Sequence, residues 1–272
     1  AELSAIQKAL VAMVAVGAVS ALTDDGYNDD VPPVITVLGD NPATVELGST
    51  YVDAGATAMD AFHGDTNVVS SGIVDTSTVG TYTITYTATD LDNNTATASR
   101  TVNVVDTTSP VITLTGDASV TVELGNTYTD AGATATDASG AIEVTSSGTV
   151  DTATVGTYTI TYSATDASGN AATQVTRTVT VVDTTAPTVV VTGDNPATVE
   201  LGTSYTDAGA TATDASGDVT VVTTGAVDVD TLGSYTITYT STDASNNSGT
   251  ATRVVNVVDT TVPVFTSSST FI

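Results

Sequence analysis

Apolar and polar residues alternate in short runs over most of this chain, which is the period-two pattern of half-buried β-strands. In the run TYTITYT, Tyr82, Ile84 and Tyr86 alternate with threonines, so one face is predicted to be buried and the other wet. A polar cluster and a second alternating run at residues 101–105 follow. This order predicts a β-hairpin with a short Asn/Gly tip, and no stretch after Leu22 has a helical period of useful length.

The β pattern occurs three times along the chain. The phrase VELG stands at residues 45–48 and recurs at 122–125 and 199–202, and DAGATA, YTITY and VVDTT recur with it in the same order. Such repetition predicts tandem copies of one domain, each of the size of a small β-sandwich. The predicted domains comprise residues 31–108, 109–185 and 186–272, the last with a C-terminal tail that either folds back or adds a strand to a neighbouring subunit.

The first residues follow a different pattern. Residues 9–22 carry no charge and are apolar on all sides, which predicts a helix that is buried on all sides. Lys8 shortens the apolar stretch, and the small residues that lie four apart favour packing among other helices over a lone membrane anchor. Residues 1–30 are therefore predicted to form an assembly helix and an acidic hinge. The predicted assembly face consists of Leu3, Ile6, Leu10, Met13, Val14, Gly17 and Ala21. Glu2 and Lys8 either pair between neighbouring helices or are solvated near the chain start.

The charge balance limits the functional classes. The chain has 4 Lys and Arg residues against 31 Asp and Glu, a net charge of −27, so nucleic acid is not expected as a partner. It has no Cys, and its one His, His63, lies in a polar segment without a Cys or Lys nucleophile. We therefore expect neither enzymatic activity, nor catalytic residues, nor a bound cofactor.

Each repeat contains one arginine, on the same strand face as the inward valines. A buried guanidinium needs an anionic partner, so a structural ion pair is predicted in each repeat. Two acids per repeat are candidates, and the sequence leaves both open. The predicted pairs join Arg100, Arg177 and Arg253 with Glu46, Glu123 and Glu200 or with Asp53, Asp130 and Asp207.

Two further features concern modification and metal binding. Asn93 and Asn246 begin N-x-Thr/Ser sequons at the same predicted hairpin tip and are candidate glycosylation sites. Asp106, Asp183 and Asp259 recur at the ends of the repeats. They are favoured as turn residues, and a structural Ca²⁺ that joins them with Asp60, Asp137 and Asp214 is the alternative.

The repeats resemble bacterial and archaeal surface immunoglobulin-like repeats, close to the hyalin-repeat type. The motifs that carry the resemblance are TT-x-P-V-I, VELG-x-x-Y-x-D-A-G-A-T-A, V-G-T-Y-T-I-T-Y and T-D-A-S-G-N. The run Gly156-x-Tyr158-x-Ile160, with its two equivalents, resembles the tyrosine-corner strand of immunoglobulin domains. The resemblance implies spacers, stalks and adhesive surfaces and implies no activity.

The N-terminal segment resembles the core helix of archaeal type IV pilins and archaellins, since Ala1 and Ala5 stand where the bacterial pattern has an aromatic residue and Glu. The expected fold is mainly β, with one N-terminal α-helix followed by three tandem immunoglobulin-like sandwiches. The expected function is that of a subunit of an extracellular type IV pilus-like filament, a helical homopolymer at the cell surface with the sandwiches outside. The alternative is a membrane-tethered adhesin or stalk, with surface or cell contacts through the outer domains.

Overall fold

The computed structural model describes residues 29–264, and this part of the chain is all-β. The expected fold class, a β protein with an N-terminal α-helix, is corrected here, because residues 29–264 contain strands and turns and no helix. The segment for which that helix was predicted, residues 1–22, lies outside the described residues. None of the described segments is a helix that could cross a membrane.

The first repeat has seven strands in two sheets. One sheet has the order β1-β3-β4 and the other β2-β7-β6-β5. The strands are β1 (Val34–Val37), β2 (Ala43–Glu46), β3 (Ala56–Asp60), β4 (Gly64–Thr66), β5 (Val68–Ser71), β6 (Gly80–Thr89) and β7 (Thr95–Val105).

The second repeat has the same arrangement, with sheets β11-β10-β8 and β12-β13-β14-β9. Its strands are β8 (Val111–Leu114), β9 (Ser119–Glu123), β10 (Ala133–Asp137), β11 (Gly140–Ile142), β12 (Val144–Ser147), β13 (Gly156–Ala164) and β14 (Val175–Val182).

The third repeat keeps the four-stranded sheet, in the order β16-β20-β19-β18, beside the two-stranded sheet β15-β17. Its strands are β15 (Thr188–Val191), β16 (Ala197–Glu200), β17 (Ala210–Thr213), β18 (Val221–Thr224), β19 (Gly233–Thr242) and β20 (Ser248–Val258).

A long hairpin forms the centre of each sandwich. In the first repeat β6 and β7 pair antiparallel in continuous register from Gly80 with Val104 to Thr89 with Thr95, which confirms the hairpin predicted from the alternation. Ile84 and Tyr86 are buried, whereas Thr85 and Thr87, which follow them, are only half-buried. The alternating run therefore supplies the core of the sandwich from its apolar face.

A short parallel strand extends each central sheet. β2 runs parallel to β7, β9 to β14, and β16 to β20. In a parallel pair both strands end at the same edge, so the glutamate that closes the short strand meets the residues that follow the long one. This pairing positions the three repeated glutamates.

The chain divides into two compact units, the first ending at Thr108 and the second beginning at Ser109. The first unit contains repeat one, and the second contains repeats two and three. Each repeat has its own apolar cluster, built around Ile84, Tyr86 and Val102 in the first, Ile160, Tyr162 and Val179 in the second, and Ile237, Tyr239 and Val255 in the third.

Candidate functional site

The arginine of each repeat lies in the core, on the inner face of the last long strand. Arg100, Arg177 and Arg253 are each no more than 2 % exposed. The Arg100 guanidinium donates to Asp53 Oδ1 at 2.8 Å, and Arg177 and Arg253 form the equivalent ion pairs with Asp130 and Asp207. Of the two candidate partners that the sequence left open, the structure brings the aspartates to the arginines.

Tyrosines complete this buried network. The hydroxyl of Tyr86 donates to Asp53 Oδ1 at 2.7 Å, and the Arg100 guanidinium carbon lies 6.0 Å from the centre of the Tyr86 ring. Burial, together with the hydrogen bond to the aspartate, raises the pKa of Tyr86 to about 12, as it does for its equivalents Tyr162 and Tyr239. The phenols are therefore held in the neutral, donating form over the ordinary pH range.

The charge state of the aspartates follows from the same contacts. Burial by itself raises the pKa of Asp130, but hydrogen bonds from Tyr162, Arg177 and Tyr128 outweigh it and leave the pKa below its usual value. The pKa of Asp207 is likewise lowered, because donors that include Tyr239 outweigh the effect of burial. An ionised carboxylate with several donors is the arrangement in which a buried ion pair is well satisfied.

The repeated glutamates have a different role. Glu46 accepts hydrogen bonds from the backbone and hydroxyl groups of Thr107 and Thr108, at 2.7 to 3.1 Å. Glu123 accepts the same four bonds from Thr184 and Thr185. Glu200 accepts three of them from Thr260 and Thr261, because the Thr261 hydroxyl donates to Asp259 instead. The donated hydrogen bonds lower the pKa of all three glutamates. Each glutamate thus fastens the end of its repeat to the short parallel strand.

The tyrosine corner suggested by the sequence has a corresponding hydrogen bond in the structure. The hydroxyl of Tyr158 donates to the carbonyl oxygen of Thr154, four residues upstream, at 2.8 Å. Tyr82 and Tyr235 make the same bond, to Thr78 and Thr231. In immunoglobulin domains this contact fixes the corner that leads into the strand.

Acidic side chains converge near the start of the first repeat. Asp29, Asp60, His63 and Asp90 each offer one ligand atom, and these atoms lie within 4.8 Å of one another. The Nδ1 atom of His63 lies 3.6 Å from Asp29 Oδ2 and 3.4 Å from Asp60 Oδ1. This mixed set of nitrogen and oxygen ligands suits zinc or another transition metal better than calcium.

A second cluster, in the second unit, contains only carboxylates. Asp183 follows the last strand of repeat two, whereas Asp214 and Asp243 follow β17 and β19 of repeat three. One oxygen from each lies within 4.8 Å of the other two. Asp183 and Asp243 are buried and Asp214 is half-buried. A set made only of oxygen ligands is of the kind that binds Ca²⁺.

The remaining predicted site residues lie elsewhere. Asn93 and Asn246 are exposed at the hairpin tips, with φ angles of 69° and 70°, and their glycosylation stays a prediction. The predicted assembly face and the predicted pair of Glu2 and Lys8 fall outside the described residues.

Sequence reasoning missed two sets of residues in these sites. The tyrosine partners of the ion pair were missed, although the recurring Tyr-x-Asp spacing at Tyr51 and Asp53 was a usable signal. Asp90 and Asp243 were also missed as members of the acidic clusters. Both aspartates stand just before a hairpin tip, and this recurrence is visible in the sequence. Aspartates that only stabilise a turn recur at such positions as well, so the recurrence did not indicate a metal site.

Comparison with known proteins identifies the repeats. A family model described as "Bacterial surface protein, Ig-like domain" matches residues 35–104, 112–181 and 189–257. Hyalin from Strongylocentrotus purpuratus is 37% identical over 259 residues, which cover 86% of this chain and 21% of that protein. Hyalin from Lytechinus variegatus is 35% identical over 267 residues, with 90% of this chain and 50% of that protein covered. The chain thus spans at most half the length of these relatives.

Among solved structures, mouse cadherin-23 EC22-24 matches 85% of this chain and 100% of its own, with a TM-score of 0.36 and 16% sequence identity.

Proposed function

Because the chain belongs to the bacterial surface protein Ig-like domain family, we propose that its three repeats are the extracellular part of a cell-surface adhesin or stalk. The observation that carries this proposal is the family match, which recurs in three tandem copies along the chain. The two similar hyalins extend the likeness over most of the chain. A role in contacts with surfaces or cells is the function that such repeats support best.

The internal design of the repeats supports a structural role. Each sandwich has its own apolar cluster, its own buried Arg–Asp pair and its own glutamate that fastens the repeat end. A unit that is complete in itself can be repeated to set length, since each copy adds a folded module without depending on a shared core. The buried ion pairs and the glutamates make contacts within their own repeat. The residues on the outer surface therefore remain available for contacts with other molecules.

The strongly acidic surface fits the same role. The net charge of −27 disfavours association between identical chains through their strand edges, because like charges repel. It also favours partners that carry positive charge or bound cations. Adhesive contact through the outer faces of the repeats is therefore the interaction that we propose.

The filament hypothesis rests on residues 1–22 alone, and the family match and the hyalins support the adhesin or stalk instead. The two functions are separated by comparing the full chain with a variant that lacks residues 1–22. Negative-stain microscopy counts polymers, and beads coated with each protein measure adhesion to the producing cells.

We expect the purified full chain to remain as separate molecules. We also expect the truncated chain to adhere as strongly as the full one, in a manner that soluble chain competes away. Filaments of the full chain that disappear on truncation, together with loss of adhesion, would contradict the proposal and support a pilus-like subunit.

A further inference from the structure

The all-carboxylate cluster between repeats two and three has a charge that the described protein does not balance. One carboxylate oxygen from each of Asp183, Asp214 and Asp243 lies within 4.8 Å of the other two, and Asp183 and Asp243 are only 8% and 7% exposed. Like charges this close, with limited access to water, repel strongly unless a cation lies among them. A cation held among the three carboxylates would remove this repulsion.

No lysine or arginine among residues 29–264 supplies that charge. The described residues contain three arginines and no lysine, and each arginine is paired with the aspartate of its own repeat. The one described histidine, His63, lies beside Asp29 and Asp60 near the start of the first repeat. In the second unit Arg177 is bound to Asp130 and Arg253 to Asp207. The described arginines are therefore engaged elsewhere, and a cation from solution is a fitting source of positive charge for these carboxylates.

Asp183 differs from an ordinary turn aspartate. Both of its carboxylate oxygens are buried, and neither has a hydrogen-bond partner among the described residues. Asp214, by contrast, accepts from the backbone and hydroxyl of Ser216, and Asp243 accepts from Ser245 and Asn247. A buried carboxylate without donors is costly, so the position of Asp183 is not explained by turn formation.

The side chain of Asn247 positions Asp183 beside the Asp243 carboxylate. The side-chain amide of Asn247 donates to the carbonyl oxygen of Asp183 at 3.1 Å and to Asp243 Oδ2 at 2.8 Å. One side chain of repeat three thus fixes the backbone at the end of repeat two beside the Asp243 carboxylate. The ligand atoms are positioned by the fold, which lowers the entropic cost of binding an ion.

We propose that Asp183, Asp214 and Asp243 bind one Ca²⁺ ion at the junction of repeats two and three. Ca²⁺ takes about 6–8 oxygen ligands at roughly 2.3–2.6 Å, so opposite ligands lie up to about 5 Å apart, as this cluster allows. Three carboxylates, each binding through one or both oxygens, and water complete such a shell. Mg²⁺ requires a tighter octahedron, and Zn²⁺ prefers nitrogen and sulfur ligands.

The bound ion would connect the two repeats directly. Its ligands come from the end of repeat two and from two loops of repeat three, so removing the ion releases a cross-link as well as a charge. The site depends on the fold alone, and it stands or falls independently of a role at the cell surface.

The test uses the full chain after treatment with a chelator and dialysis. Isothermal titration with CaCl₂ gives the number of bound ions, and calorimetric melting with and without Ca²⁺ gives the shift of the melting temperature. We expect wild-type protein to bind Ca²⁺ in the range of about 10⁻⁴ to 10⁻³ M that is common for extracellular modules, and to melt at a higher temperature with the ion present. MgCl₂ at the same concentration is expected to give a smaller shift.

The variant Asp183→Asn is expected to bind one ion fewer per chain and to lose the part of the thermal shift that this ion supplies. In chelator it is expected to melt no lower than wild type, because the substitution removes a charge that no hydrogen bond holds. A residue that merely supports the turn would instead lower the melting temperature in chelator. Should Asp183→Asn fail to fold, Asp214→Asn is expected to show the same loss of one ion.

Asp259→Asn is the matched control. Asp259 stands at the repeat position of Asp183, but it is exposed and its carboxylate accepts hydrogen bonds from the backbone and hydroxyl of Thr261. This variant is expected to keep the wild-type number of Ca²⁺ ions. The proposal is overturned if wild-type protein binds no Ca²⁺ at about 10 mM, well above the range for extracellular sites. It is equally overturned if Asp183→Asn binds as many ions as wild type.

Discussion

At the scale of single residues, the buried arginine is the most unusual feature of each repeat. A guanidinium in an apolar core is costly unless most of its donors find acceptors, and here an aspartate, tyrosines and backbone carbonyl oxygens supply them for the terminal nitrogens. The Nε atoms of Arg100 and Arg253 have no partner among the described residues. Arg177, by contrast, also donates from Nε to the carbonyl oxygen of Asp117 at 2.9 Å. The network joins the last long strand of each repeat to the segment around the DAGATA motif.

Removing the tyrosine hydroxyl from this network tests its contribution. Tyr162→Phe deletes the donor to Asp130 and keeps the ring. We expect the free energy of unfolding of repeat two to fall by about 1.5–3 kcal/mol, which is typical of a hydrogen bond to a charged group. Native-state hydrogen exchange of the full chain, read in the strands of repeat two, measures the loss. Tyr158→Phe is the control, because its hydroxyl donates to a neutral carbonyl, and about 1 kcal/mol is expected. Equal losses in the two variants would contradict this account.

A single hydroxyl in the third repeat is expected to be unfavourable. Ser241 is fully buried, and its Oγ atom has no hydrogen-bond partner among the described residues. The equivalent positions of the other repeats are the buried residues Ala88 and Ala164. We therefore expect Ser241→Ala to stabilise repeat three by about 1–3 kcal/mol. Hydrogen exchange of the β19 amides, measured at increasing denaturant concentration, gives the change in unfolding free energy. A variant that is less stable than wild type would show that the hydroxyl has a hydrogen-bond partner.

The sequence could place the arginines but could not choose their partners. Their strand parity with Val102, Val179 and Val255 was sufficient to predict burial, because side chains on a strand alternate between its two faces. The choice between glutamate and aspartate depends on which loop folds over the sheet. That is a property of the tertiary structure, and strand periodicity does not contain it.

At the scale of elements, the short parallel strand and its glutamate fasten each repeat. Glu200 ends β16, and its carboxylate accepts from Thr260 and Thr261, which follow β20. Hydrogen bonds from Thr260 are the main cause of its lowered pKa. A carboxyl whose pKa is lower in the folded than in the unfolded state stabilises the fold above its ordinary pKa, and this contribution is lost as the pH falls through the folded value.

This contact predicts an effect on acid unfolding. Glu200→Gln is expected to lower the melting temperature of repeat three at pH 7 and to weaken its further decrease below about pH 4.5, because the amide does not titrate. Melting curves between pH 7 and pH 3 for wild type and variant provide the measurement. Asp218→Asn, at an exposed position of the same repeat, is the control and should follow wild type. A variant whose melting temperature falls with pH as steeply as that of wild type would contradict the assignment.

The long hairpins were predictable because regular alternation extends over both of their strands, as in β6 and β7. The parallel strand β2 and the three-residue strand β4 were not, since so few residues carry no distinct period. The acidic clusters could be predicted from the sequence only in part. Their aspartates recur visibly in the sequence, but convergence of Asp183, Asp214 and Asp243 depends on how two repeats meet.

At the scale of the whole molecule, three copies of one self-sufficient sandwich form the described chain. The repeat count and the immunoglobulin-like class were predictable, because near-identical phrases return three times in the same order. The fold class required correction, since the described residues are entirely β. The proposed boundaries at residues 108 and 185 stay predictions.

A surface role requires that the repeats are displayed outside the cell. Intact producing cells are labelled with antibodies raised against residues 29–264, before and after mild protease treatment, with a cytosolic protein as the control for cell integrity. If the repeats are displayed at the surface, intact cells are labelled strongly, and protease removes the label while the cytosolic control persists. Labelling that requires permeabilised cells and survives external protease would contradict a surface role.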